Sequence, residues 1–326
     1  MKIKLFGCKD TTLFVAKFLR DLEIVIDLVT ISPEQGDKNE VAGYLDLSSE
    51  KQMFNSIYMA SSYSLSDKND LNYFDKDNDL NIGICIGWQR LIPANILDKF
   101  SIGIFGMHGS ARDLPYGKGR SPLNWSIIEN RKWFNTNLFK YNKGVDSGPI
   151  IDKATFSINE NDTAETLHYK NTLSMCRILE KNLNLLSEKK FNQINQDTSE
   201  GESFYPKRTP EDGAIDWRDD IYNIERLIRS VSYPFYGAYS FLKKNEVKIF
   251  RASIFYTDLE DHPFKDSKYG EIVSVFQNGK FLVRCSGGIL LINDHNISNI
   301  EKGLVLSKIE SPFSRFKRNT YGFFDV

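Results

Sequence analysis

The periodicity of apolar and polar positions changes several times along the 326 residues, and each change marks an element. Ile3 to Gly7 is a short apolar run closed by glycine and reads as a buried strand. Asp10, Thr11 and Thr12 follow as caps for a helix to about Leu22. The stretches 24–31, 80–87 and 101–105 are rich in Val and Ile and read as further strands. Pro33 to Lys38 is polar and predicts a loop, and Pro93 suits the first turn of a short helix. Strands alternating with helices predict an α/β fold with a parallel, doubly wound sheet. In such sheets the site lies beyond the carboxyl ends of the strands. His108 follows the 101–105 strand and so falls at that edge.

Past Asp113 to Arg120, which read as a loop, the pattern predicts a helix over 122–130 and strands over 133–141 and 150–158. The longest helix is expected over 163–189. Its cap is Asp162 or Thr163, and Leu167, Leu173, Ile178, Leu179, Leu183 and Leu186 recur at helical spacing. Asn192 to Ser203 is a polar stretch that reads as a linker. Beyond it lie a helix over 221–231 and short strands over 238–242, 246–255, 269–277, 280–284 and 288–292. Asn278-Gly279 signals a two-residue hairpin. The expected domains are therefore 1–191, a linker over 192–203, and a smaller β-rich domain over 204–326.

Composition and charge narrow the function. Hydrophobic residues at 41% and charged residues at 26% fit a globular chain. The 42 basic and 43 acidic residues leave a formal net charge of −1, which argues against a nucleic-acid partner. The basic run Ser314-Arg315-Phe316-Lys317-Arg318 reads as a solvated end. Cys8, Cys85, Cys176 and Cys285 form no CxxC pair, and the four histidines have no metal-ligand spacing, so neither a disulfide framework nor a metal is expected. The N-terminus lacks a signal-peptide pattern, and no apolar run is long enough to span a membrane, so a cytoplasmic protein without a membrane partner is expected. The first strand-to-helix turn holds one glycine, not GxGxxG, which disfavours a nicotinamide dehydrogenase.

Two glycine-flanked turns carry candidate chemistry: Gly106-Met107-His108-Gly109-Ser110 and Gly144-Val145-Asp146-Ser147-Gly148. A base, a carboxylate to orient it and a donor for an oxyanion are the needs of acyl transfer to an amine. Both turns adjoin apolar strands, so His108 and Asp146 can converge. Asp and Gly also favour turns for purely local reasons.

The ordered set Phe105–Ser110, Leu114-Pro115, Lys118-Gly119, Pro122-Leu123-Asn124-Trp125 and Asp146-Ser147-Gly148-Pro149 resembles the folate-dependent formyltransferases. That family includes the sugar-nucleotide N-formyltransferases and methionyl-tRNA formyltransferase. The likeness covers roughly residues 1–190, and Tyr205-Pro206 through Asp216-Trp217 with Arg226–Arg229 resembles the start of the family's C-terminal domain. It implies a Rossmann-like sheet and N10-formyltetrahydrofolate as formyl donor. It gives His108 proton transfer and oxyanion stabilisation, and Asp146 the holding of the His tautomer. Trp88, Gln89, Arg90, Leu91 and Ile92 stand at the place of the folate-binding loop, and Ser110 and Lys118 at substrate-contact positions. Trp88 is equally a core residue by its type, and Ser110 and Lys118 equally ordinary loop residues.

One departure matters. The family's Asn two residues before the His is Gly106 here, which has no side-chain donor. Losing such a donor typically costs about 10²–10³ in rate. Asn124, Gln89 and Ser110 are the candidate replacements by donor chemistry. The expected acceptor is the amine of a nucleotide-linked amino sugar. The alternatives are methionine on initiator tRNA, an inactive folate or nucleotide binder, and a hydrolase of formyl-folate. The aromatic run Tyr233 to Tyr239 serves either base stacking or the core, and a homodimer is the commonest oligomer to expect.

Overall fold

A computed structural model describes residues 1–307, so the basic run at 314–318 lies outside the described residues. In chain order the elements are β1 (Lys2–Phe6), α1 (Asp10–Asp21), β2 (Val25–Thr30), α2 (Pro33–Lys38), β3 (Ser56–Met59), α3 (Lys68–Lys76), β4 (Ile82–Cys85), α4 (Ala94–Leu97), β5 (Gly103–Ser110), α5 (Pro122–Ile128), β6 (Trp133–Lys140), β7 (Ile150–Ser157), α6 (Ala164–Ser187), α7 (Ile221–Val231), β8 (Ala238–Leu242), β9 (Asn245–Thr257), β10 (Ile272–Val275), β11 (Phe281–Cys285) and β12 (Gly288–His295). They fall into two compact units. The first comprises Met1–Lys118, Asn135–Phe156 and Lys170–Glu202. The second comprises Gly119–Phe134, Ser157–Tyr169 and the chain from Ser203 onward.

The first unit holds a seven-stranded sheet in the order β3-β2-β1-β4-β5-β6-β7. Strands β1 to β5 pair in parallel, and β6 runs antiparallel to β5. The order reverses at β1, as in other doubly wound sheets. Alternation along β1 supplies both faces of the sheet. Ile3 and Leu5 join Val15, Leu19, Leu138, Leu179 and Leu183 in one core, while Phe6 joins Val29, Phe74, Trp88, Phe100 and Ile104 in the other. The helix over 33–38, read from sequence as a loop, forms because Ser32 caps it, accepting from the Gln35 amide, and proline occupies its first turn.

Lys4 stands among the apolar positions of β1 and is 4% exposed. Its ammonium reaches Asp77 at 2.5 Å, the Tyr73 hydroxyl at 3.0 Å and Asp27 at 3.5 Å. Burial works against the Asp27 charge, but hydrogen bonds from Asn55, Lys2 and Ser56 and the charge of Lys4 outweigh it and bring the carboxyl from 3.8 to about 2. Because the folded value lies below the unfolded one, the stabilisation is complete above about pH 4 and is lost as pH falls toward 2. Asp27→Asn is therefore expected to cost on the order of 1–2 kcal/mol at pH 7, after discounting for solvent screening. The difference should nearly vanish at pH 2. Urea denaturation at both pH values checks this, and an equal loss at both would contradict it.

In the second unit, a five-stranded antiparallel sheet runs β8-β9-β12-β11-β10. Helix α7 lays Ile221, Ile224, Leu227, Ile228 and Val231 against it, capped by Asp220, which accepts from the Tyr222 amide. The Asn278-Gly279 turn is a three-residue loop rather than the expected two-residue one. Phe276 and Lys280 still pair, the Gly279 amide donates to the Phe276 carbonyl, and Gly279 takes φ +84. The stretch read as a linker is tied to the first unit, where Ile194 exchanges two backbone hydrogen bonds with Ile150, at 2.8 and 2.9 Å. Among the described residues, no helix is long and apolar enough to cross a membrane, and no cluster of His, Cys, Asp and Glu could hold a metal.

Candidate active site

The strand expected to end at residue 105 continues through Ser110, so His108 is a strand residue and not part of a turn after it. The reason is pairing: β6 runs beside this glycine-rich stretch in register Gly106↔Phe139, His108↔Asn137 and Ser110↔Asn135. A single sequence cannot supply that partner. His108 is 7% exposed. Its Nδ1 lies 3.3 Å from Asp146 Oδ2, and its Nε2 lies 2.8 Å from the Gly117 carbonyl oxygen. Both ring nitrogens thus face acceptors, and only the ring protonated at both nitrogens donates to the two of them.

Asp146 is held by its own turn. It takes φ +46, a conformation that Asp tolerates better than most residues. The Asn142 side-chain oxygen accepts from the Gly144 amide at 3.0 Å and from the Ser147 hydroxyl at 2.8 Å. Gln196 Nε2 donates to the carbonyls of Asp146 and Gly148, both at 2.8 Å. Gly117, with φ +76, turns its carbonyl to His108. Asn142 was not singled out from the sequence, although an Asn two residues before glycine is an Asx-turn signal that could have found it. Gln196 and Gly117 carry no such signal, since each acts through a distant partner.

The other expected site residues fare differently. Ser110 is fully buried, its hydroxyl donating to the Tyr116 carbonyl at 3.2 Å and accepting from the Arg112 amide at 3.1 Å. Lys118 is also fully buried and pairs with Glu202 at 2.6 Å. Asn124 belongs to the second unit, where its amide donates to the Ser230 carbonyl at 2.6 Å and ties α5 to α7. Asn124→Ala leaves that carbonyl unmet and is expected to cost about 1–3 kcal/mol. Thermal denaturation measures it, and an unchanged midpoint would contradict it.

In the 88–92 loop, Trp88 and Ile92 are core residues, 6% and 4% exposed. Trp88 packs edge-on against Tyr63, with ring centroids 4.9 Å apart, and against Phe6. The Tyr63 hydroxyl accepts from the Gln89 amide at 2.9 Å, and the Arg90 guanidinium lies 5.0 Å from the Tyr63 ring centre. Between the two anchors, Arg90 and Leu91 face outward. Among the described residues, the main-chain groups of Arg90, Leu91 and Ile92 pair with no other backbone group. A cavity of about 610 Å³ in the same unit is lined by Ala94, Leu97, Phe100, Ile104, Tyr141 and Lys143, among others.

A histidine held by a carboxylate on a doubly wound sheet is an arrangement suited to group-transfer enzymes. Sequence comparison gives the particular family. Residues 35–179 match the formyl transferase family, and residues 207–302 match the formyl transferase C-terminal domain. The chain belongs to the formyltransferase family and carries both of its domains. It is 29% identical over 246 residues, 71% of its length, to the bifunctional polymyxin resistance protein ArnA of Wigglesworthia glossinidia brevipalpis, of which it spans 36%. In fold it is similar to the N-formyltransferase of Helicobacter canadensis, a structure with folinic acid and dTDP-3-aminofucose. That match has a TM-score of 0.64 and 17% identity, over 91% of this chain and 100% of the other. It is also similar to WlaRD, a sugar 3N-formyltransferase determined with dTDP and 5-N-formyl-THF. There the TM-score is 0.62 and the identity 17%, over 91% and 98% of the two chains.

Proposed function

We propose that this formyltransferase moves the formyl group of N10-formyltetrahydrofolate onto the amine of a nucleotide-linked amino sugar. The observation that carries the reading is the His108–Asp146 pair, 3.3 Å apart on the folded sheet. Asp146 orients the ring and favours a proton on Nδ1, so Nε2 is the atom that takes the proton of the attacking amine. Once protonated, Nε2 can donate to the Gly117 carbonyl oxygen, which lies 2.8 Å away.

Folate as donor fits two features of the first unit. The free main-chain donors and acceptors of Arg90 to Ile92 suit a donor-rich pterin ring. A cavity of about 610 Å³ lies in the size range of small-molecule sites. When bound, the folate supplies the activated formyl group. The choice of a sugar nucleotide over tRNA is supported by the net charge of −1, since tRNA phosphates call for a basic excess. It is also supported by the fold shared with enzymes whose structures contain a nucleotide or nucleotide sugar.

Folate release, followed by absorbance, tests the reading with N10-formyltetrahydrofolate and a panel of dTDP- and UDP-linked 3-amino and 4-amino sugars beside initiator methionyl-tRNA. Turnover with a sugar nucleotide and none with tRNA is expected. Turnover with tRNA alone would reverse the acceptor, and folate binding without any turnover would favour an inactive binder.

A further inference from the structure

Attack of an amine on a formyl group places negative charge on the formyl oxygen, and an efficient site supplies a donor for it. Position 106 is where the strand would present one. Residues 104, 106 and 108 share a face of β5, and their partners across the antiparallel pair share it too: Phe139 opposite Gly106 and Asn137 opposite His108. Tyr141 lies next along that row, its amide donating to the Ile104 carbonyl at 2.8 Å. Gly106 leaves a gap there, and Tyr141 fills it. The ring stacks on Phe139 with centroids 5.2 Å apart, and its hydroxyl stands 2.5 Å from where a Cβ of residue 106 would be. That point is one pleat from His108, roughly 6–7 Å along the strand.

The geometry points to Tyr141 as a catalytic residue: its hydroxyl donates to the formyl oxygen of the transition state, in the space that a side chain at 106 would otherwise take. This rests on the function proposed above. Two polar side chains of the first unit are already committed: the Asn137 amide donates to the His108 carbonyl at 3.2 Å, and the Ser110 hydroxyl is engaged at Tyr116 and Arg112. Burial first, then the charge of Cys85 and a hydrogen bond to it, and the charge of Asp146 push the Tyr141 phenol well above its ordinary value. It therefore stays a neutral donor across the working pH range. The hydroxyl rests on the Cys85 thiol and turns from it to the formyl oxygen. Tyr141 also lines the cavity of the first unit.

In the step itself the amine lone pair forms the new C–N bond, and the carbonyl π pair moves to oxygen, where the Tyr141 O–H holds it without giving up its proton. His108 Nε2 takes the amine proton. Collapse restores C=O and breaks the bond to N10 of the folate, which leaves with the proton returned from His108.

Tyr141→Phe keeps the ring over Gly106 and removes only the hydroxyl. It is expected to lower kcat by about 10²–10³ with the melting temperature unchanged. A second readout needs no acceptor: the affinities of 10-formyl-5,8-dideazafolate and of 5,8-dideazafolate are measured on both proteins. Wild type should prefer the formylated analogue, and Tyr141→Phe should lose that preference while binding the unformylated one as before. The same preference in both proteins, or a wild-type kcat in Tyr141→Phe, would overturn the role. A wild type that turns over no acceptor would defeat the functional reading alone, because the binding preference still reads Tyr141.

Discussion

His108→Ala is expected to lower kcat by about 10²–10⁴ while leaving folate affinity within a few-fold of wild type. In the proposed reaction the imidazole moves the amine's proton, with Asp146 beside one nitrogen and the Gly117 carbonyl beside the other. Proposed folate contacts lie elsewhere, in the main chain of Arg90 to Ile92 and the cavity beside α4. Removing the ring therefore takes away proton transfer and spares the donor site. Steady-state kinetics beside tetrahydrofolate binding separates the two effects. A wild-type kcat would remove His108 from the chemistry, and loss of folate binding in a folded variant would move the donor site onto β5.

The second large effect is expected at a residue with no side chain. A Cβ on Gly148 would overlap the Lys140 carbonyl oxygen, which is backbone and cannot rotate away. Lys140 is pinned in turn, its amide donating to the Pro149 carbonyl at 3.0 Å. Gly148→Ala must therefore displace the turn that carries Asp146 and break the Gln196 clamp on the Asp146 and Gly148 carbonyls. Such steric changes cost about 3 kcal/mol or more, roughly 4 °C or more in melting temperature for a chain of this size. Transfer activity should fall as well, because the carboxylate leaves Nδ1. Calorimetry and kinetics on the same preparation check both, and an unchanged midpoint with unchanged kcat would contradict the account of the turn.

The elements differ in how plainly the sequence encodes them. Helices α1, α6 and α7 carry long apolar stripes and caps and were legible, as were the apolar strands β1, β2 and β4. β3 and α3 were not. The first is a four-residue strand with exposed or half-exposed side chains, and the second is mostly polar, with Asp70 and Phe74 as its buried positions. The proposed catalytic pair, His108 and Asp146, stood out in the sequence because glycines flank both, yet those glycines read as turns when one set continues a strand. Tyr141 and Gln196 were invisible for a different reason. Each gains its role from a residue far away in sequence, at Gly106 and at Asp146, and no local pattern encodes that.

The most direct test of formyl transfer to a nucleotide-linked amino sugar follows the carbon itself. N10-formyltetrahydrofolate labelled with ¹³C in the formyl group is incubated with the enzyme and the acceptor, and the label is located by NMR. The account predicts a ¹³C formamide on the sugar amine, formed in step with tetrahydrofolate. Label recovered as free formate, or left on the folate with every amino-sugar acceptor, would contradict it.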